Sequence, residues 1–230
     1  MNFVKFEIQV APDQPKYYVF DFRGSYTPVF VYQDMQREPK PMDLAGDRLV
    51  IDLGANVGLW TFRYAKLYPE CHFIAYEPYP VNVRHFKMGL AENKFTNVDL
   101  AECAVTHDGR DVTLVMDPTN SGSASAYNNH VSDMFPRQKV HSITLNEAFE
   151  HHASVDCLKV DIEGAEFQLF EGFTHWDKLK KVFIEVHPRY AGITDAEKTY
   201  SIKVLLQLLR SKIGPSNVFV ECTDEKFRGL

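Results

Sequence analysis

"VIDLGANVGLW", residues 50–60, is an apolar run that ends in an acid, turns through two glycines and passes straight into a stretch of helical period. A short apolar run bounded by glycine reads as a buried strand, and Leu59, Phe62 and Ala65 give residues 58–68 a single apolar helical face. Glycines at such a strand-to-helix turn let backbone come close to a ligand. Which ligand is constrained by what the turn lacks. Started at Gly54, the pattern G-x-G-x-x-G fails at Asn56 and again at Leu59, and no Lys-Ser/Thr pair closes the turn as in a phosphate-binding P-loop. Neither a dinucleotide nor a nucleoside triphosphate is favoured.

Outward from this turn, residues 72–78 form a second apolar run stopped by Pro78, residues 80–94 a second helix with proline at its start, and residues 97–105 a third strand. This βαβαβ order predicts an α/β fold, a Rossmann-like doubly wound and mostly parallel sheet. Asp108-Gly109 before residues 110–116 predicts an extra hairpin after the third strand. Residues 117–130, rich in Ser, Gly and Asn, predict a loop, either a solvated connector or a lid. Alternation resumes with a strand in 154–164, a helix over 165–173 and a strand over 180–188. A last helix opens on the capping box Thr194-x-x-Glu197 and closes at Gly214-Pro215, before a final strand at 217–223. Residues 1–47 read as an N-terminal β extension, leaving 48–230 as the main domain.

With 230 residues, 45% hydrophobic and 24% charged, the chain has the composition of an ordinary globular protein. A net charge of −6 and the absence of basic blocks interleaved with aromatics argue against a nucleic-acid partner. Cys71, Cys103, Cys157 and Cys222 form no C-x-x-C pair, so buried thiols in a reducing compartment are expected and no zinc site. No apolar stretch is long enough to span a bilayer and the N-terminus lacks the pattern of a signal peptide, so no membrane partner and a cytoplasmic location are expected.

In open α/β sheets ligands bind beyond the carboxyl ends of the strands, which places Gly54 to Gly58 at a crevice. Glu77, at the end of the second strand, stands where a carboxylate can accept hydrogen bonds from ribose hydroxyls. A ligand with a ribose and no pyrophosphate fits best.

Together, "VIDLGANVGLWTF", "FIAYEPYPVNVRHFK", "NVDLAECAVTHDGRDVTL", "ITLNEAF" and "CLKVDIEGAEFQLFEGF" resemble class I S-adenosylmethionine-dependent methyltransferases, and more narrowly the FkbM family, over residues 48–188. The resemblance implies S-adenosylmethionine as cofactor. Gly54, Ala55, Asn56 and Gly58 would line its methionine and ribose part, Glu77 would hold the ribose hydroxyls, and Glu102 to Ala104 would lie near the adenine, with Pro78, Cys103 and Ala104 among the cofactor-binding residues. Asp52 would support the turn from behind. Asn56 then suits the turn, because without a pyrophosphate a side-chain amide can take a place there. The plain alternative for each is a tight turn or a buried strand end.

Methyl transfer from a sulfonium to a hydroxyl needs the two aligned and the acceptor's proton removed. Candidates for the second task are Asp161, Glu163 and His187, at the carboxyl ends of the fourth and fifth strands. Lys159 is expected to pair with Asp161, Glu166 to complement a helix dipole, and Glu185 to point the same way as His187. Asp161, Glu163 and Glu185 could gather oxygen ligands for magnesium, but their spacing does not require it and no metal is expected. The acceptor implied by the resemblance is a hydroxyl on a sugar, glycan or small natural product, with Tyr127 and Tyr190 beside it. The competing readings are a catalytically silent cofactor-binding or interaction domain on the same scaffold, and a dehydrogenase, which the failed fingerprint disfavours. Methyltransferases of this class usually end their sheet with an antiparallel pair, for which only one final strand is apparent here. The incomplete edge would let two chains pair as a homodimer.

Overall fold

The computed structural model describes residues 3–22, 25, 42–116, 124–125, 135–228 and 230. Its centre is a six-stranded sheet, all parallel, made of β3 (Leu49–Leu53), β4 (His72–Tyr76), β5 (Val98–Ala101), β10 (Val155–Val160), β11 (Leu179–Val186) and β12 (Val218–Cys222). The strands lie in the order β12-β11-β10-β3-β4-β5. Chain order therefore reverses between β3 and β10, and a crevice opens beyond their carboxyl ends.

β10 is buried at every position, as expected of a central parallel strand covered on both faces. Its two charged residues are both partnered. Asp156 accepts the backbone N–H groups of Arg48 and Leu49 at 2.8 and 3.0 Å and so fixes the entry of β3. Lys159 lies opposite Asp52 in the register of β10 with β3.

Helix α1 (Leu59–Leu67) and α2 (Pro80–Asn93) flank β3 and β4, with Phe62 of α1 tilted against Phe86 of α2 and stacked on Phe95, ring centroids 4.7 and 5.2 Å apart. A second core carries Phe149 of α3 (Leu145–Glu150), Leu169 of α4 (Glu166–Leu169) and Ile202, Leu205, Leu206 and Leu209 of α5 (Asp195–Ile213). The capping box at Thr194 and Glu197 forms as its spacing predicts, and Thr144 and Glu147 form another at the start of α3. The helix expected over 165–173 is shorter: only Glu166–Leu169 is helical.

Two expectations change in detail. The third strand is broken at Glu102-Cys103 into β5 and β6 (Ala104–Thr106), and β6 leaves the main sheet to pair in parallel with β9 (Ser142–Thr144). The extra antiparallel pair is present, but β7 (Val112–Val115) makes it with β8 (Arg137–Val140) and not with the strand before Asp108-Gly109. There the Gly109 N–H bonds to the Thr106 hydroxyl at 3.0 Å, turning the chain without a hairpin ladder.

The N-terminal β1 (Phe3–Ile8) and β2 (Tyr17–Phe22) form their own antiparallel sheet against α2, tied by the Asn93 side chain, which donates to the Tyr18 carbonyl and accepts from its N–H. They do not extend the central sheet. Among the described residues β12 and β5 are its two outer strands, and no antiparallel strand follows β12. No helix among them is long and apolar enough to cross a membrane.

Candidate functional site

The turn after β3 is held from both sides. Gly54 and Ala55 both donate their N–H to the Tyr76 carbonyl at 3.0 Å, which binds the turn to the end of β4. Gly54, Asn56 and Gly58 all have positive φ, at 78°, 52° and 95°. Asn56 suits this left-handed position better than most side chains because its amide bonds locally, its Oδ1 accepting the Val57 N–H at 2.6 Å. At Gly54 a side chain is excluded outright, since a Cβ would sit 1.8 Å from the Asp161 carbonyl oxygen.

Glu77 closes the other side of the crevice. Its carboxylate accepts the N–H of Asn56 at 2.8 Å and of Tyr79 at 2.8 Å, with the Asn82 amide at 3.4 Å. Burial lifts its pKa to about 7, against those hydrogen bonds and the charge of Lys159.

A cleft lies over these groups. Of the residues named from the sequence, Gly54, Asn56, Glu77, Pro78, Cys103, Ala104, Asp161 and Glu163 line it. Ala55 and Gly58 shape the turn without lining the cleft, and Asp52 lies beneath it, fully buried. Glu102 points elsewhere, half-exposed and paired with Lys87. Tyr127 lies outside the described residues. Tyr76, Asn82, Val105, Ala124 and Ile162 also line the cleft and were not singled out in the sequence. The break between β5 and β6 brings in the Ala104-Val105 pair, and a single apolar run carries no sign of such a break.

Under the turn, Lys159 Nζ stands 3.1 Å from Asp52 and 3.3 Å from Asp161 and donates to the Gly54 carbonyl at 3.1 Å. Burial opposes its charge, but Asp52 and Asp161 outweigh that and hold its pKa above the ordinary lysine value. The expected Lys159–Asp161 pair is thus one arm of a bridge under the turn. Thr61 completes it, donating to the other Asp52 oxygen at 2.5 Å.

Beyond β10 and β11, Asp161, Glu163 and His187 converge. His187 Nε2 lies 3.6 Å from Glu163 and 3.9 Å from Asp161, and its Nδ1 is 2.8 Å from Glu166. Burial works against the charged ring, but Glu166, Glu163 and Asp161 outweigh it and raise its pKa to about 9. Burial also raises Glu163, whose second oxygen pairs with Arg189. Glu185 is not in this group; the charge of Asp161, then burial, raises it to about 8.

Glu166 does more than answer a helix dipole. It is fully buried and accepts the N–H groups of Ile162 and Gly164, so one carboxylate fixes both the 162–164 loop and the His187 ring. The Ser125 hydroxyl ties down the same loop by donating to the Glu163 carbonyl at 2.6 Å.

The sequence family decides which ligand this cleft evolved for: residues 52–212 match the methyltransferase FkbM domain. The chain belongs to the FkbM methyltransferase family. It is 24% identical over 161 residues to Methyltransferase 1 of Beauveria bassiana, spanning 61% of this chain and 65% of that protein. It is 23% identical over 175 residues to the methyltransferase sdnD of Sordaria araneosa, spanning 62% of this chain and 68% of that protein. A solved precorrin-6y C5,15-methyltransferase from Geobacter metallireducens aligns over 71% of this chain and 62% of its own at 13% identity, with a TM-score of 0.40.

The family implies S-adenosylmethionine, and the cleft suits it. Three carboxylates, Glu77, Asp161 and Glu163, line the walls, and no lysine or arginine does so among the described residues. Walls with acceptors and no basic side chain offer nothing to a pyrophosphate, and this FkbM-family cofactor, which carries its reactive methyl on a sulfonium, brings none.

Proposed function

We propose that this FkbM-family chain catalyses O-methylation, transferring a methyl group from S-adenosylmethionine to a hydroxyl of a sugar, glycan or small natural product. The observation that carries this reading is a single cleft walled on one side by the Gly54–Glu77 turn and on the other by Asp161 and Glu163. A cofactor seated on the first wall faces titratable groups on the second.

When bound, the cofactor supplies an electrophilic methyl. The chain's own residues do the rest. Glu77 accepts the ribose hydroxyls, the Gly54 turn admits the methionine part, and Asp161, Glu163 and His187 form the group that takes the acceptor's proton. Three titratable side chains this close share that proton, so its loss belongs to the group as a whole. A cytoplasmic location belongs to the same reading and is supported by four free cysteines, three of them buried.

The test is a screen of sugars and hydroxylated metabolites with methyl-labelled cofactor, reading product mass. A product heavier by one labelled methyl on oxygen supports the reading. Cofactor binding with no transfer to any acceptor would instead favour a silent binding domain.

A further inference from the structure

The structure assigns a divalent-cation site to Asp161, Glu163 and His187. Among the described residues they are the only group of three or more His, Cys, Asp or Glu side chains close enough to share an ion, with one ligand atom from each within 4.8 Å of the others. Metal–ligand bonds of about 2.0–2.2 Å place ligand atoms at most about 4.4 Å apart, so a contraction of a few tenths of an ångström would close the site.

What separates this group from a chance gathering of acids is how each member is held. Asp161 gives one oxygen to Lys159, Glu163 gives one to Arg189, and His187 gives Nδ1 to Glu166. In each the second atom, Asp161 Oδ1, Glu163 Oε1 and His187 Nε2, makes no hydrogen bond to the described residues, and His187 Nε2 stands within 3.9 Å of both carboxylate oxygens. The His187 side chain is only 5% exposed, with Nε2 3.6 Å from Glu163 and 3.9 Å from Asp161.

Glu166 behind His187 reproduces the carboxylate–histidine arrangement that fixes the tautomer and orientation of a metal-ligating imidazole. It is itself fully buried and locked by backbone N–H groups, so the ring is set before any ion arrives. Glu163 reaches its place through a left-handed backbone at φ 52°, a conformation that costs energy in a residue other than glycine.

Two carboxylates and one imidazole leave coordination positions open towards the cleft, which Asp161 and Glu163 line. One nitrogen with two hard oxygens suits a first-row divalent ion such as Mn²⁺ better than Ca²⁺ or Mg²⁺, whose ligand sets are built from oxygen alone. The site follows from side-chain placement; only its use in orienting an acceptor oxygen rests on the methyl-transfer reading.

The test uses the full chain, stripped with chelator and titrated with Mn²⁺ in the absence of cofactor and acceptor, so its outcome is separate from that of the methyl-transfer screen. Electron paramagnetic resonance should show one bound Mn²⁺ per chain, with nitrogen modulation from one imidazole in the echo envelope. Glu166→Gln should weaken binding about 10- to 100-fold, as loss of a carboxylate behind a ligating histidine does. His187→Ala should remove the nitrogen signature. No saturable binding overturns the assignment, as does bound Mn²⁺ without nitrogen modulation in the wild-type protein. The second readout needs no variant to fold.

Discussion

The Glu77 carboxylate accepts the Asn56 N–H at 2.8 Å, across 21 residues of chain. The two ends of the βαβ unit that should cradle the cofactor are thereby joined before anything binds, and the group that joins them is the one expected to meet the ribose. Glu77→Ala should weaken S-adenosylmethionine binding by about 2 kcal/mol, roughly 30-fold, through loss of a charge-assisted contact and of the turn's anchor. Isothermal calorimetry giving equal affinities would remove Glu77 from the cofactor site.

The same carboxylate sets a pH dependence. Its pKa is about 7 in the folded chain, above the ordinary 4.5, so the fold gains from its protonation. That contribution is full below about pH 4.5 and is lost as pH rises through about 7, worth about 3 kcal/mol in all. Urea midpoints between pH 5 and 8 should therefore fall less in Glu77→Gln than in the wild type. Identical slopes would mean that Glu77 is already ionised at pH 5.

Cofactor binding should run the opposite way. Ribose hydroxyls donate to the ionised form, so binding below pH 7 must expel a proton from Glu77, and affinity should drop towards tenfold per pH unit there. Calorimetry in buffers of different ionisation enthalpy reads the released proton directly. Its absence at pH 6 would place the ribose on another group.

Much of this was legible because parallel strands buried on both faces are written as nearly unbroken apolar runs: β4 and β10 fall within the stretches read as strands, and β11 begins one residue ahead of its own. The turn was legible through its glycines. The role of Glu166 was not, since an acid at the start of a helix already has an ordinary explanation in the helix dipole, and only the fold brings His187, 21 residues away, to its carboxylate. The Lys159–Asp52 pair was hidden for a related reason. It arises from the register of β10 on β3, and no single strand states its own register.

If Asp161, Glu163 and His187 take the acceptor's proton as proposed, His187→Ala should lower methyl transfer at least about 100-fold while leaving cofactor affinity within about twofold, because His187 does not line the cleft. Steady-state turnover with an identified acceptor, set beside calorimetry with cofactor alone, separates the two effects. Unchanged turnover would exclude His187 from the reaction.

Lys159→Met tests the bridge beneath the turn. The methionine nearly matches the volume of the lysine stem, so packing changes little, but Asp52 is left fully buried with only the Thr61 hydroxyl to answer its charge. Removing one partner from a buried pair costs about 3–5 kcal/mol, and the Gly54 carbonyl loses its donor as well. Urea denaturation should show that loss, and cofactor affinity should fall with it because Gly54 is no longer held. If the cost comes from the stranded charge, adding Asp52→Asn should recover part of the stability. A double variant no more stable than Lys159→Met alone would mean that the lysine acts through its contact with the Gly54 carbonyl, not through Asp52.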